Sequence, residues 1–271
     1  MKVVKREDYL VELTSKAPFY IIPFSDVHFD SKKCNRTMLK NHLDKMVENK
    51  GYCWFNGDFF DVMGCDRDPR SAKGDIRPEY DVPNYLDVVI KDAAKFLEPY
   101  KKRILFFSDG NHETNILRRQ ETNVLDRLSA MLGVERMGYS GFIKLKTKNS
   151  KDEKRNVLSK LIHFHHGFGG NAPRSKGVMR VDIDAAKYPD ADIIVRGHTH
   201  QKWAMPYVSR RLTSGGKYIK KTAYHLQLGS YKDGYGKGLK GWEVEKEFQD
   251  TPLGSYVIKV DKENITTEEL I

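Results

Sequence analysis

The chain of 271 residues is long enough to bury a substantial core, and we expect a single domain over residues 1–271. Its 14 Tyr, 13 Phe and 3 Trp exclude a disordered chain. No run approaches the roughly 18 apolar residues that a membrane helix needs, so we expect no membrane partner.

The N-terminus and the cysteines indicate a compartment. Residues 1–16 are charged throughout and lack the apolar centre of a signal peptide. The three cysteines, Cys34, Cys53 and Cys65, cannot all pair with one another, and none lies in a Cys-x-x-Cys motif. These features are typical of a reduced, cytoplasmic protein.

Basic residues outnumber acidic ones by 47 to 37, which gives a formal net charge of +10. The excess is concentrated between Arg196 and Lys240, where ten basic residues accompany a single acid, Asp233. A basic surface attracts polyanions such as DNA or RNA. The alternative, a solvated surface that is rich in lysine, agrees equally well with the charge balance.

Short apolar runs alternate with amphipathic segments through the first half of the chain. Three runs predict buried strands: Phe19–Ile22, Tyr52–Phe55 and Ile104–Phe107. Apolar residues at helical spacing follow each strand and predict three helices: Leu39–Val47, Leu86–Leu97 and Leu117–Leu132. This order predicts a layered α/β fold.

The second half of the chain is richer in strands and turns. Apolar runs predict four further strands: Phe142–Leu145, Leu158–Phe164, Ile193–Val195 and Tyr256–Val260. Residues 66–84 contain three prolines and many charges with little periodicity, which indicates a surface loop.

Five predicted strands end in Asp, Asn or His, usually beside glycine. In chain order the motifs are Asp26-Val27-His28, Gly57-Asp58-Phe59-Phe60-Asp61, Gly110-Asn111-His112-Glu113, His165-His166-Gly167 and Gly197-His198-Thr199-His200. Each motif alone is compatible with a turn that has polar caps. Because α/β sheets place ligand sites beyond the carboxyl ends of their strands, we expect these side chains to converge on one crevice.

The residue types at these strand ends indicate metal chemistry. Seven candidate ligands are available: Asp26, His28, Asp58, Asn111, His166, His198 and His200. A set of carboxylates, imidazoles and one amide, without thiolate, suits divalent Mn, Fe or Zn. A lone zinc ion needs only three or four ligands, so seven candidates favour two ions that share a carboxylate.

With these five motifs in this order, the chain resembles the calcineurin-like metallophosphoesterase superfamily. The resemblance spans Asp26 to His200. It implies a four-layer α/β/β/α sandwich around two divalent metal ions, with Mn²⁺ as the first choice and Fe, Zn, Ni or Co as alternatives. It also implies hydrolysis of a phosphate-ester substrate.

The resemblance assigns a role to each motif residue. The first ion would be held by Asp26, His28, Asp58 and His200, and the second by Asp58, Asn111, His166 and His198, with Asp58 as the bridge. His112 would be a catalytic residue beside the leaving group, with Asp61 as its hydrogen-bond partner. In the fourth motif the resemblance favours His166, which directly precedes glycine, and His165 remains the alternative.

Departures from particular subfamilies narrow the expected substrate. Protein Ser/Thr phosphatases have arginine at the positions of Val62 and Asp109, purple acid phosphatases have tyrosine at Asp61, and lipid-A pyrophosphohydrolases have arginine at His112. The remaining resemblance is to phosphodiesterases and nucleases. A phosphomonoesterase acting on small metabolites is the alternative, and a non-catalytic binding module is a third possibility.

Basic residues and aromatic rings are interleaved after the last motif. The segment contains Lys202, Trp203, Tyr207, Arg210, Arg211, Lys217, Lys220 and Lys221, followed by the Gly-rich residues 229–250. This pattern suits a single-stranded nucleic acid, because cations contact phosphates and rings stack on bases. The competing interpretation is a β-hairpin with aromatic residues packed inward. His42 and His225 have no motif context and are interpreted as structural or surface residues.

Overall fold

Two β-sheets pack against each other in this computed structural model. It describes residues 1–64, 73–148, 156–169, 175–236, 242–245, 247, 249–262 and 264–270. Both sheets are mixed, with parallel and antiparallel strand pairs. The α/β class predicted from the sequence is confirmed.

The larger sheet has seven strands in the order β1-β2-β7-β8-β9-β11-β10. Its strands are β1 (Lys2–Glu7), β2 (Leu10–Lys16), β7 (Ser140–Lys148), β8 (Asn156–His165), β9 (Ile193–Arg196), β10 (Trp203–Leu212) and β11 (Tyr218–Gln227). Strands β8, β9 and β11 run parallel to one another. The carboxyl ends of β8 and β9 therefore meet at one edge.

The smaller sheet has six strands in the order β13-β12-β3-β4-β5-β6. Its strands are β3 (Phe19–Phe24), β4 (Tyr52–Asn56), β5 (Ile104–Ser108), β6 (Glu135–Met137), β12 (Tyr256–Val260) and β13 (Ile265–Glu269). Strands β3 to β6 are parallel, and helical segments connect them. The carboxyl ends of β3, β4 and β5 therefore also lie together.

The described helices are short, with at most 13 residues each. They are α1 (Arg36–Glu48), α2 (Tyr85–Leu97), α3 (Asn111–Gln120), α4 (Val124–Leu132), α5 (Arg180–Lys187) and α6 (Trp242–Glu245). Asn35 caps the N-terminus of α1, because its side chain accepts a hydrogen bond from the main-chain N–H of Met38 at 3.0 Å. None of the described helices is both long and apolar enough to cross a membrane.

Two apolar cores hold the layers together. The first lies between the two sheets and combines residues such as Leu13 and Ile162 of the larger sheet with Trp54 and Ile258 of the smaller one. The second lies between the smaller sheet and the helices α1, α2 and α4. Burial on both faces explains why the central strands β3, β4 and β5 of the smaller sheet are nearly continuous apolar runs in the sequence.

All seven strands predicted from apolar runs are present. The third predicted helix is wrong as a single element, because α3 ends at Gln120 and α4 begins at Val124. Glu121 between them has a left-handed φ of 53°, and the side chain of Asn123 caps the second helix. A left-handed residue cannot continue an α-helix, so the chain turns there.

Several elements have no counterpart in the predictions. The charged residues at the N-terminus form the antiparallel pair β1 and β2. Helix α5 also lacks a predicted counterpart. The basic-aromatic segment, in contrast, is an antiparallel hairpin of β10 and β11, the structure that its competing interpretation predicted. In that hairpin Trp203 and Tyr207 are partly buried, whereas Tyr218 is exposed.

The described cysteines, Cys34 and Cys53, are buried free thiols. Burial raises the pKa of Cys34 to about 12. Cys65 lies outside the described residues, as do residues 66–72 of the predicted surface loop. The remainder of that loop contains two short 3-10 turns, Lys73–Asp75 and Pro78–Tyr80.

Candidate metal centre

The candidate site lies where strand ends of both sheets meet. Strands β3, β4 and β5 of the smaller sheet lead into the first three motifs, and strands β8 and β9 of the larger sheet lead into the other two. The predicted ligands are separated by up to 174 positions in sequence, from Asp26 to His200, yet the structure gathers them into adjoining clusters.

The first cluster contains Asp26, His28 and His200. One ligand atom from each side chain lies within 4.8 Å of the others. The Nε2 atoms of His28 and His200 are 3.2 Å apart, and Nε2 of His200 is 3.3 Å from Oδ1 of Asp26. Asp26 and His28 are buried, whereas the side chain of His200 is 35% exposed and therefore accessible from solvent.

The second cluster contains Asp58, His166 and His198, with Asn111 between the two histidines. Nε2 of His166 lies 3.1 Å from both Oδ2 of Asp58 and Oδ1 of Asn111. Nδ1 of His198 lies 2.7 Å from the same Asn111 oxygen. The structure therefore brings these four predicted ligands together.

The fourth motif has three histidines that differ in position. His166 is completely buried inside the second cluster. Nδ1 of His165 instead accepts a hydrogen bond from the main-chain N–H of Gly167, and His163 lies 3.2 Å from the hydroxyl of Ser140. Only His166 of the three therefore faces the other predicted ligands.

His112 and Asp61 are in contact, but not through the carboxylate as expected. Nδ1 of His112 donates to the main-chain carbonyl of Asp61 at 2.6 Å, whereas the nearer carboxylate oxygen is 3.7 Å away. The Asp61 carboxylate instead contacts Nδ1 of His28 at 2.7 Å. Nε2 of His112 faces Asp58, at 3.8 Å from its Oδ2.

The main chain is strained at the predicted ligands. Ten non-glycine residues have a left-handed φ in the described part of the chain, and five of them are predicted ligands: Asp26, His28, Asp58, His198 and His200. Such a conformation costs about 1–3 kcal/mol per residue and is concentrated at functional sites. The strain indicates that these loops are shaped for the placement of side chains.

Glycines next to the ligands leave room for them. A Cβ on Gly110 would lie 2.1 Å from Oδ1 of Asp58, and one on Gly57 would lie 2.4 Å from Nδ1 of His166. A Cβ on Gly197 would lie 2.7 Å from Oδ2 of Asp26. The glycines in the motifs are therefore required for close packing around the ligands.

Two buried carboxylates, Glu113 and Asp30, hold the loops by accepting main-chain hydrogen bonds, although no role was predicted for either. Glu113 accepts hydrogen bonds from the main-chain N–H groups of Asp58 and Phe60 at 3.1 and 3.0 Å. Asp30 accepts from those of Asp61 and Val62 at 2.7 and 2.9 Å. For Glu113 the available signal was its place at the third residue of α3, where a capping glutamate is common.

The protonation of the cluster reflects its mixture of acids and imidazoles. Burial alone would lower the pKa of His166, but the charges of Asp58 and Asp26 outweigh it and raise the pKa to about 10. Burial lowers the pKa of His28 to about 4 despite the contact with Asp61. For Asp26, burial is opposed by His166 and His200, and its pKa falls to about 2.

The residues fit a divalent cation, because lone pairs face one another. Nε2 of His198 donates to the carbonyl of Gly169 at 2.9 Å, so its Nδ1 has no proton in the neutral ring, yet this atom faces the Asn111 oxygen. Nδ1 of His166 donates to the carbonyl of Asn56, so the second proton that its raised pKa implies lies on Nε2, between two oxygens, at a position that a cation could take.

The first cluster has the same character. Oδ1 of Asp26 is buried and accepts no hydrogen bond from the part of the chain that the structure describes. Converging acceptors without protons are costly unless a cation neutralises them. Without a metal ion, a proton on His166 of the second cluster supplies positive charge, so we expect metal and proton to compete.

The solved structures that are similar to this chain share little sequence with it. A protein from Streptococcus pneumoniae TIGR4, described as a predicted phosphoesterase, is 15% identical with a TM-score of 0.34, covering 93% of this chain and 89% of that chain. Vps29 from Chaetomium thermophilum is 10% identical with a TM-score of 0.41, covering 93% of this chain and 95% of that chain.

A third such structure, of Vps29 from Entamoeba histolytica complexed with zinc, is 11% identical with a TM-score of 0.35, covering 92% of this chain and 89% of that chain. No protein of curated function matches the sequence. The model of the calcineurin-like phosphoesterase family matches residues 19–202, from the first strand of the smaller sheet to just beyond the last motif. Because this match covers more than half of the chain, the chain belongs to the calcineurin-like phosphoesterase family.

Proposed function

We propose that the protein is a phosphodiesterase that uses two divalent metal ions to hydrolyse nucleic acid or nucleotides. One observation carries the proposal: two clusters of carboxylates and imidazoles, with ligand atoms that face one another, lie beside each other where strand ends of both sheets meet. Asp58 belongs to the second cluster, and Asp26 lies close enough to influence the pKa of His166 within it. A phosphomonoesterase acting on small metabolites is the competing proposal.

The proposed ligands are those expected from the motifs. Asp26, His28, Asp58 and His200 would hold the first ion, and Asp58, Asn111, His166 and His198 the second. The donors are carboxylate, amide and imidazole atoms without a thiolate, which supports Mn²⁺ and also suits Fe or Zn. Asp58 would bridge, because it lies 3.1 Å from His166 of the second cluster and, against the effect of burial, its pKa is lowered by the charges of His166 and, to a smaller extent, of His28 in the first cluster.

When bound, the two ions would supply charge neutralisation at the phosphoryl oxygens and lower the pKa of an attacking water. His112 would act at the leaving group. Its Nδ1 is fixed by the Asp61 carbonyl, so Nε2 remains free to hold a proton for the leaving oxygen. The side chain is 13% exposed, which agrees with access by substrate.

A pair of cations on the hairpin supports a polyanionic substrate. Arg210 and Lys220 are directly opposite each other in the register of β10 and β11, and both are exposed. Like charges opposite each other destabilise a sheet, by about 0.2–1 kcal/mol. Among the described residues, no carboxylate forms an ion pair with either side chain, so a phosphate backbone would relieve their repulsion.

The experiment that tests the proposal compares substrate classes in the presence of Mn²⁺. We expect faster hydrolysis of bis-p-nitrophenyl phosphate than of p-nitrophenyl phosphate, and binding of a labelled oligonucleotide that weakens as salt rises. Preference for the monoester together with no oligonucleotide binding would favour the phosphomonoesterase. No hydrolysis of either ester, with metal bound, would favour the non-catalytic module.

A further inference from the structure

A segment beyond the residues matched by the family contacts the first metal cluster. Residues 228–233 follow strand β11 and lie after residue 202, where the match ends. The hydroxyl of Ser230 donates to the main-chain carbonyl of Asp26 at 2.8 Å, and the N–H of Tyr231 donates to the same oxygen at 3.0 Å. This segment therefore fixes the loop that carries the first predicted ligand.

Lys232 extends from this segment to the carboxylate of Asp61. Its Nζ lies 3.1 Å from Oδ1 and 3.4 Å from Oδ2. The lysine side chain is 13% exposed and the aspartate is completely buried, so the pair is largely shielded from water. The main-chain N–H of Lys232 donates to the hydroxyl of Ser230 at 2.8 Å, which fixes the start of the side chain.

Asp61 contacts the predicted metal ligand His28 as well as Lys232. The oxygen that receives the ammonium group of Lys232 also lies 2.7 Å from Nδ1 of His28. A carboxylate on the outer nitrogen of a ligating histidine fixes the tautomer and the ring orientation. Lys232, Asp61 and His28 therefore form a chain of contacts that leads to Nε2 of His28 in the first cluster.

The charge of the lysine also decides what Asp61 can bind. Atoms of His28, Asp61 and His112 lie within 4.8 Å of one another and could form a further cation site. The ammonium group already supplies a cation to this carboxylate. Without it, Asp61 would be a buried anion free to compete with Asp26 and Asp58 for a metal ion.

We propose that Lys232 is a positioning residue of the metal centre, which holds the carboxylate of Asp61 against His28 and keeps it out of the metal's coordination. This inference rests on the proposed two-metal function. It assigns a role to a residue outside the five motifs, and it predicts that the first metal site is sensitive to a side chain that does not touch the metal.

The test replaces Lys232 and titrates Mn²⁺ into metal-free protein. Lys232→Gln keeps a donor and removes the charge, and Lys232→Met removes both. We expect one of the two Mn²⁺ sites to weaken about 10–100-fold, the range found for partners of metal ligands. The electron paramagnetic resonance spectrum should then change from a coupled pair to isolated Mn²⁺ at limiting metal.

Lys160→Gln is the matched control. Nζ of Lys160 lies 3.1 Å from Oδ1 of the buried Asp192, the same distance as in the pair of Lys232 and Asp61. Asp192 precedes β9, at the end opposite to His198, and Lys221 also contacts its Oδ1 at 3.3 Å. This variant should bind both ions normally even if its free energy of unfolding falls. Lys232→Arg, which restores the charge, should recover most of the affinity.

Three results decide the inference. Normal affinity for both ions in folded Lys232→Gln would overturn it while leaving the proposed function intact. Equal loss of affinity in Lys160→Gln would also overturn it, since the effect would then be general destabilisation. Fewer than two ions bound by the unaltered protein would overturn the proposed function itself. If Lys232→Met does not fold, Lys232→Gln and Lys232→Arg supply the comparison.

Discussion

Oδ2 of Asp58 lies 3.1 Å from Nε2 of His166, and both side chains are buried. The other oxygen of Asp58 accepts a hydrogen bond from the main-chain N–H of His112 at 2.9 Å. Asp58 therefore joins the second cluster to the candidate catalytic histidine. The main-chain N–H of Asp58 donates to Glu113, so hydrogen bonds hold both the main chain and the side chain of Asp58 in place.

Asp58→Asn should abolish activity and lose both metals. Asparagine has the same size but lacks the negative charge that two cations need. Metal content after dialysis and Mn²⁺ titration would measure the loss. Asp192→Asn, a buried aspartate paired with Lys160, is the control and should retain its metals. Two ions per chain in Asp58→Asn would contradict the proposed bridge.

His112→Asn should separate catalysis from metal binding. We expect metal content near that of the unaltered protein and turnover reduced by about two to four orders of magnitude, because the proton donor is lost. The decrease should appear in kcat more than in KM. Full turnover of the diester by the variant would remove His112 from the mechanism.

Gly110→Ala should displace Asp58 and destabilise the fold. The residue has an extended main chain, with φ −116° and ψ −179°, which alanine adopts easily. The cost comes from its Cβ, which would meet both the side chain and the main-chain nitrogen of Asp58 at 2.1 and 2.2 Å. We expect a loss of about 1–3 kcal/mol in urea unfolding, with weaker metal binding.

Gly138→Ala is the control for this substitution. No atom lies within 4 Å of a Cβ at Gly138, so the added methyl group has space. Its free energy of unfolding should stay within about 0.5 kcal/mol of the unaltered protein. Equal stability and metal affinity of the two alanine variants would show that the close approach of Gly110 to Asp58 is dispensable.

The protein should lose stability as the pH falls below about 6.5, partly because of histidines outside the metal clusters. Burial, and then the charges of Arg196 and His225, lowers the pKa of His163 to about 3. Burial, Arg196 and Arg180 lower the pKa of His225 to about 3 as well. Between these values and the unfolded pKa of about 6.5, the unfolded chain binds protons that the native state does not.

The sign is therefore fixed: the free energy of unfolding decreases as the pH falls through this window, by up to about 1.4 kcal/mol per pH unit for each histidine. Urea unfolding of His163→Gln, compared with the unaltered protein between about pH 7 and pH 5, measures the contribution of one ring. The variant should have the shallower pH dependence. Parallel curves would exclude His163 as a contributor.

Arg210→Gln combined with Lys220→Gln should weaken oligonucleotide binding. If each cation contacts one phosphate of a single strand, the logarithmic salt dependence of binding should decrease by about 1.4. Stability should be unchanged or slightly higher, because opposed charges are removed. The exposed residues Lys40 and Lys102, replaced together by Gln, are the control for net charge. An unchanged salt dependence would exclude the hairpin from the binding surface.

The sequence was most informative at the strand ends. Apolar runs followed by Asp, Asn or His located the five motifs, because buried strands and their polar termini differ sharply in composition. The break between α3 and α4 was missed, since the left-handed conformation of Glu121 leaves no pattern in apolar spacing. Strand β1 was missed because an edge strand does not need a continuous apolar run, and β2 was missed because its buried residues only alternate with partly exposed ones.

The partners of the ligands were harder to predict than the ligands themselves. The expected contact of Asp61 with His112 uses the main-chain carbonyl, and the carboxylate turns to His28 and Lys232. Asp61 and Lys232 are 171 positions apart, and only the three-dimensional arrangement of the loop after β11 relates them. Such pairings depend on tertiary structure rather than on any local signal.

The placement of the proposed ligands on two separate sheets has a mechanical consequence. Asp58 follows a strand of one sheet and His166 follows a strand of the other, so a cation bound by both would connect the two sheets. Occupancy and folding are then linked, because a ligand that binds only the native state stabilises it by RT ln(1 + [L]/Kd). Chelation should therefore lower the melting temperature by weakening the connection between the two sheets.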